Sequence, residues 1–267
     1  VSVLGVEIPS DLVSVSQHGH VAHVRLCHPP ANRFSFALMH ALEDLAVAFA
    51  KSTDLRAVWL SASGPDFSQG ADLKDPMLAA QMAGDSDRRA EIARLGAQLI
   101  EAWASLPIPT VVSAKGRILG AGACLFTVCD FRYASRDATI AFPEVDRGMH
   151  LAWGILPHLA REYGAPLTRR LTLGGASVPV EQLPVGSVAL EAPGATDSAA
   201  RAWAELLAGK PPLAVRAILS ALRAIARGEP HNADLDVEAF AATTGSDDFR
   251  EALMAWFDRR PGVYAGR

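Results

Sequence analysis

Short β-branched runs recur along the first half of the chain with amphipathic stretches between them, and this alternation restricts the fold to a mixed α/β core with largely parallel pairing. Residues 12–26 read as two strands of alternating polarity joined by a turn at Gly19. A helix is predicted from about Ser35, because Phe36, Met39, Leu42, Leu45 and Phe49 recur at three- and four-residue spacing, and Ser35 is placed to cap it. Residues 55–64 read as a buried strand ending in a Gly-Pro turn. Residues 88–106 read as a helix on the spacing of Ile92, Leu95, Leu99, Ile100 and Trp103, stopped by Pro107 and Pro109. Strands at Thr110 and Asp130 flank a tight small-residue helix in GAGACLFTVCD, and residues 76–87 and 149–157 are expected to be loops that form pocket walls. From Pro166 onward the pattern is mainly helical, with faces in residues 199–207, 214–226 and 249–257.

Of the 267 residues, 50% are apolar and 20% charged, which excludes a disordered chain and supplies a core that needs no metal or disulfide staple. The net charge of −4 and the small lysine set, Lys51, Lys74, Lys115 and Lys210, speak against nucleic acid as a partner. The most apolar central stretch, residues 118–129, is shorter than the roughly 20 residues of a membrane-spanning helix, so no membrane association is expected. The first residues carry an early acidic side chain and no basic region, unlike a secretory signal. Cys27, Cys124 and Cys129 are odd in number and lack metal-ligand spacing; a reducing, cytoplasmic compartment and no metal are expected.

Three segments place backbone amides or a carboxylate just after a strand, where the sites of α/β folds collect. In FSQGADLKD, Gly70 permits a sharp turn after which the Ala71 amide points outward, although an ordinary polar loop has the same composition. Residues 116–122, GRILGAG, open an apolar helix whose first amides attract negative charge; close helix–sheet packing accounts for these glycines equally well. In AFPEVDRGMH, Glu144 follows an apolar lead-in that can desolvate a carboxyl and raise its pKa. The alternative is a solvated glutamate or one paired with Arg147.

FSQGADLK, the KGRILGAGACLFTVCD run about fifty residues later and the proline-glutamate after a strand together resemble the enoyl-CoA hydratase/isomerase, or crotonase, superfamily. HPPANRFSFALMHAL at His28 and SDDFREALMAWFDRRPGVYAGR at Ser246 resemble its early helix and closing tail, so the likeness spans nearly the whole chain. The resemblance implies an α/β crotonase fold of repeated strand-strand-helix units in a spiral, here residues 1–195, with a C-terminal helical trimerisation region, residues 196–267. It implies a homotrimer or hexamer acting on an acyl-CoA thioester, with coenzyme A as part of the substrate and no separate cofactor. The enolate anion would be held by the amides of Ala71 and Ala121, preceded by Gly70 and Gly120. Such donors act mainly on charge that develops in the transition state, each contributing about 3 to 4 kcal/mol.

Two departures bear on the reaction. Ala121 stands where glycine is usual, which adds a methyl and keeps the amide. Cys124 stands where the family's hydratases carry one of two catalytic glutamates, the other matching Glu144. Hydration divides water activation and proton delivery over that pair, and loss of one general acid/base costs about 10² to 10⁴ in rate. Moving a double bond needs one carboxylate, to take a proton from C2 of a 3-enoyl thioester and return it at C4; isomerisation is therefore expected over hydration. Cys124 as a nucleophile near a helix N-terminus, and His150 or Asp146 as a substitute acid/base, are further candidates. Lys74 and Arg33 are candidate contacts for the coenzyme A phosphates. The rival readings are hydration with a substitute group, thioester hydrolysis or decarboxylation through the same anion, and a non-catalytic binding protein.

Overall fold

The computed structural model describes residues 2–3 and 5–267, the first two by backbone alone. A two-residue hairpin, β1 (Ser2–Val3) and β2 (Val6–Glu7), precedes the antiparallel pair β3 (Val13–His18) and β4 (Val21–Leu26), which turns at Gly19 with φ +56°. Helix α1 (Phe36–Lys51) follows, its first turn closed by Ser35 Oγ accepting from Leu38 N–H at 3.2 Å. After β5 (Ala57–Ala62) come α2 (Pro76–Met82) and α3 (Ser86–Ala104). The segment 76–87 is therefore not a plain loop: Asp75 accepts from the N–H groups of Met77 and Leu78, both at 2.9 Å, and Pro76 fits the first helical position.

Two strand-strand-helix turns come next: β6 (Thr110–Ala114), β7 (Arg117–Leu119) and α4 (Ala121–Val128), then β8 (Phe131–Ser135), β9 (Thr139–Ala141) and α5 (Leu156–Leu173). Here the predicted mainly helical region is corrected at its start and in its interior. Helix α5 begins ten residues before Pro166 and breaks at Gly164, φ +73°, and two short strands follow it, β10 (Val178–Pro179) and β11 (Ala189–Glu191). The chain ends in α6 (Thr196–Ala208), α7 (Pro212–Ala226), α8 (Ala233–Thr244) and α9 (Asp247–Asp258).

The large sheet runs β11-β8-β6-β5-β4-β3, parallel except at the β4–β3 edge. A small sheet, β10-β9-β7, forms the second wall of the spiral and is extended by parallel bridges pairing Ser68 with Ile118 and Phe34 with Ala71. Successive turns thus stack their short strands in register, and whatever follows each strand emerges at the same edge. That stacking brings residues 70–71, 120–121 and 142–144 together.

Both faces of the large sheet are covered. Leu38, Leu42, Leu45 and Phe49 of α1, Leu99 and Trp103 of α3 and every side chain of α4 pack into the main core. On the opposite face the alanine stripe Ala200, Ala204 and Ala208 lets α6 lie close to Val21, Ala57, Trp59 and Val111. Helices α7 to α9 leave large apolar side chains in solvent, among them Ile218, Leu222, Phe240, Trp256 and Phe257.

Candidate active site

Gly70 (φ +86°) and Gly120 (φ +48°) turn the chain so that the next N–H, of Ala71 and of Ala121, leaves the ladder. Neither N–H donates to a protein acceptor among the described residues, and Ala121 is the first residue of α4, where the intrahelical partner is missing by geometry. The two turns touch: a Cβ on Gly120 would stand 3.6 Å from Gly70 Cα and 2.8 Å from Glu144 Oε1. The carboxylate is thus pressed against the turn that presents the Ala121 amide. This edge is tight for a physical reason, since the Ser68 N–H donates to Arg117 O at 3.1 Å and the Leu119 N–H to Ser68 O at 2.9 Å.

Glu144 opens the one-turn 3-10 helix Val145–Arg147 that follows β9. Its Oε2 is buried with no hydrogen-bond partner. Burial pushes its pKa above the usual glutamate range, against smaller opposing effects of its own backbone N–H and of Arg147. A carboxyl of this kind exchanges a proton nearer neutral pH than an exposed one.

Ala71, Ala121, Cys124, Glu144 and His150 all line one cavity of about 400 Å³. Glu144 is the only carboxylate on its wall, which is otherwise built chiefly from apolar side chains such as Leu78, Ile92, Leu151 and Trp153. Cys124, inside α4, is fully enclosed, and burial together with the Glu144 charge pushes its thiol well above the usual cysteine range. The nucleophile reading is corrected accordingly: the thiol stays protonated and the helix N-terminus does not activate it. Asp146 is corrected too. Its carboxylate lies against Gly175, where an added Cβ would meet Oδ2 at 2.6 Å, and it does not line the cavity. His150 is exposed at the cavity wall and makes no hydrogen bond among the described residues.

The enoyl-CoA hydratase/isomerase family model matches residues 16–267. The chain belongs to this family. Among its relatives, a Bacillus subtilis protein described as a probable enoyl-CoA hydratase is 28% identical over 95% of the chain and 98% of its own length. The enoyl-CoA isomerase/hydratase fer4 of Mycosarcoma maydis is 30% identical over 92% of the chain and 93% of its own. The solved structure of Pseudomonas aeruginosa DspI superposes with a TM-score of 0.89 at 28% identity, covering 97% of this chain and 98% of that one. The fold is accordingly the crotonase α/β spiral, and the chain is an acyl-CoA enzyme of the hydratase/isomerase type.

Against that family frame, the two candidate phosphate contacts lie outside the cavity. Lys74 is exposed on the turn after Ala71, and Arg33 is half-buried with Nη2 donating to Gln69 Oε1 at 3.3 Å. Two residues without a place in the sequence reading, and a third from the loop 149–157 expected at the pocket wall, matter here. Asp66, nearly buried, fastens the Ala71 loop to β7 through Arg117. Arg89 and Trp153 line the cavity from α3 and from the loop before α5. The Asp66–Arg117 pair joins positions 51 residues apart, which no local pattern reveals.

Proposed function

We propose that the enzyme shifts a carbon–carbon double bond in an enoyl-CoA thioester, with Glu144 as the single acid/base and the N–H groups of Ala71 and Ala121 as the oxyanion donors. The observation that carries this reading is the cavity's composition: one raised-pKa carboxylate beside two unpaired amides, with a protonated thiol where a second carboxylate would be needed for hydration.

The steps follow from these groups. The thioester carbonyl oxygen accepts from both amides. Glu144, ionised, takes a proton from C2 of a 3-enoyl thioester; the electron pair delocalises over the carbonyl and the old double bond as a dienolate. The same carboxyl, now protonated, returns the proton at C4, and the double bond lies between C2 and C3. Charge on the oxygen exists only along this path, so fixed N–H donors lower the barrier more than they tighten substrate binding. Desolvation by the apolar wall strengthens them further.

Coenzyme A enters as part of the substrate, its phosphates reached by Lys74 and Arg33, and no other cofactor takes part. The free cysteines fit a cytoplasmic setting. Residues 196–267, with their uncovered apolar side chains, supply the contacts of a homotrimer or hexamer.

Hydration is the competing reading, favoured by His150 on the wall of the same cavity as a substitute acid/base. Incubation with a 3-enoyl-CoA and, separately, with its 2-enoyl-CoA isomer in D₂O separates the two. Isomerisation interconverts the two thioesters, with deuterium at C2 or C4 as the only change of mass; hydration adds D₂O across the C2–C3 double bond of the 2-enoyl-CoA. Conversion of the 2-enoyl-CoA to a 3-hydroxyacyl thioester, with no 2-enoyl product formed from the 3-enoyl-CoA, would overturn the isomerase reading.

A further inference from the structure

Trp153 is held where a large side chain is normally excluded. It has φ +68° in a loop without regular structure, followed by Gly154 at φ +67°, and a bulky residue in that region is a backbone outlier. Its indole lies directly on Gly96 in the middle of α3; a Cβ added there would fall within bonding range of the ring. Glycine inside a helix weakens it, and Leu95 and Leu99 on either side are ordinary core positions. Two locally unfavourable residues, on two separate elements, therefore meet at one contact. That contact is in the cavity wall, which Trp153 shares with Cys124, Glu144 and Ile92. Phe34 lies beside the indole, with ring centroids 6.4 Å apart and 50° between planes.

We propose that Trp153 is the residue that sets the length of the acyl group this enzyme accepts, with Gly96 as the slot that holds it. This rests on the acyl-CoA reading of the site. The indole is the largest side chain on a wall whose other members, apart from Arg89, Cys124, Glu144 and His150, are leucine, isoleucine, methionine and alanine, so the cavity is chiefly apolar and suits hydrocarbon. The substrate class is a thioester whose chain ends at the indole; longer chains meet a rigid ring whose backbone and slot are both fixed.

The test measures binding by calorimetry of a homologous series of saturated, straight-chain acyl-CoA thioesters, which cannot turn over, to the wild type, Trp153→Ala, Trp153→Phe and Gly96→Ala, each checked by thermal unfolding. For the wild type, affinity rises with chain length to a limit and then falls about 10-fold or more per step beyond it. Trp153→Ala moves the limit to longer chains, and Trp153→Phe moves it less in the same direction and covers the case in which the alanine variant fails to fold. Gly96→Ala, which drives the indole into the cavity, moves it to shorter chains. Measurable binding with no limit in the wild type, or with superimposable length profiles in all variants, overturns the proposal and leaves the acyl-CoA reading standing. Absence of binding by every thioester overturns both.

Discussion

Asp66 and Arg117 tie the Ala71 loop to β7, the strand that leads into the Ala121 turn: the Asp66 carboxylate accepts from the Arg117 backbone N–H at 2.9 Å, from its Nε at 3.0 Å and from its Nη2 at 2.9 Å. Gln69 Nε2 donates to the same carboxylate at 2.8 Å. Burial alone would raise the pKa of this carboxyl, but the hydrogen bonds from Arg117 and Gln69 outweigh it and hold the pKa below the usual aspartate range. A carboxyl depressed on folding adds stability above its unfolded pKa, lost as pH falls through the folded one. Asp66→Asn is expected to lower stability at pH 7 by about 1–3 kcal/mol, the range for leaving a nearly buried polar partner unpaired. Urea unfolding should show that loss, and the gap between variant and wild type should close under acid conditions.

On the proposed reading Glu144 is the base, and its raised pKa sets the pH dependence of turnover. The base must be ionised to accept a proton, so kcat/KM should rise with pH through an apparent pKa above that of an exposed glutamate. A profile already flat at the ordinary glutamate pKa would contradict this. Because ionising Glu144 is harder in the folded than in the unfolded protein, Glu144→Gln is expected to be no less stable at neutral pH.

Cys124 makes two predictions with one cause. Enclosed in α4 beside a carboxylate, its thiol should resist alkylation by iodoacetamide at neutral pH, as should Cys129, pushed up to about 12 by burial, while the half-buried Cys27 reacts first. Peptide mass mapping reads this directly. Cys124→Glu restores a second carboxylate to the cavity and should raise the ratio of hydration to isomerisation by about 10²-fold, the lower end of a general acid/base contribution.

The uncovered apolar face of α7 predicts self-association. Sedimentation velocity should find the wild type as a trimer or hexamer, and Leu222→Asp, at a side chain 58% exposed in the single chain, should shift it toward smaller species.

What the sequence disclosed, and what it hid, follow from how local each determinant is. Helix α1 was legible because its cap, Ser35, and its buried stripe sit within one window. Helix α2 carried a signal too, an aspartate before a proline, but its seven residues are short and leave only Leu78 buried. Strands β7 and β9 have three residues each and exist because neighbouring turns of the spiral pair with them. Glu144 and Asp146 are two residues apart in a run that looks equally polar, and the 3-10 turn sends one into the cavity and the other toward Gly175. The gly-ala turns were readable as motifs; that Gly70 and Gly120 abut each other depends on stacking across fifty residues.

The central claim is that Glu144 moves the proton while the Ala71 and Ala121 amides hold the anion. Deuterium exchange at C2 of an enoyl-CoA, followed by NMR in D₂O for wild type and Glu144→Gln at equal saturation, tests it most directly. The predicted result is a fall of about 10²–10⁴ in the exchange rate with binding retained; exchange at the wild-type rate in the variant would contradict it.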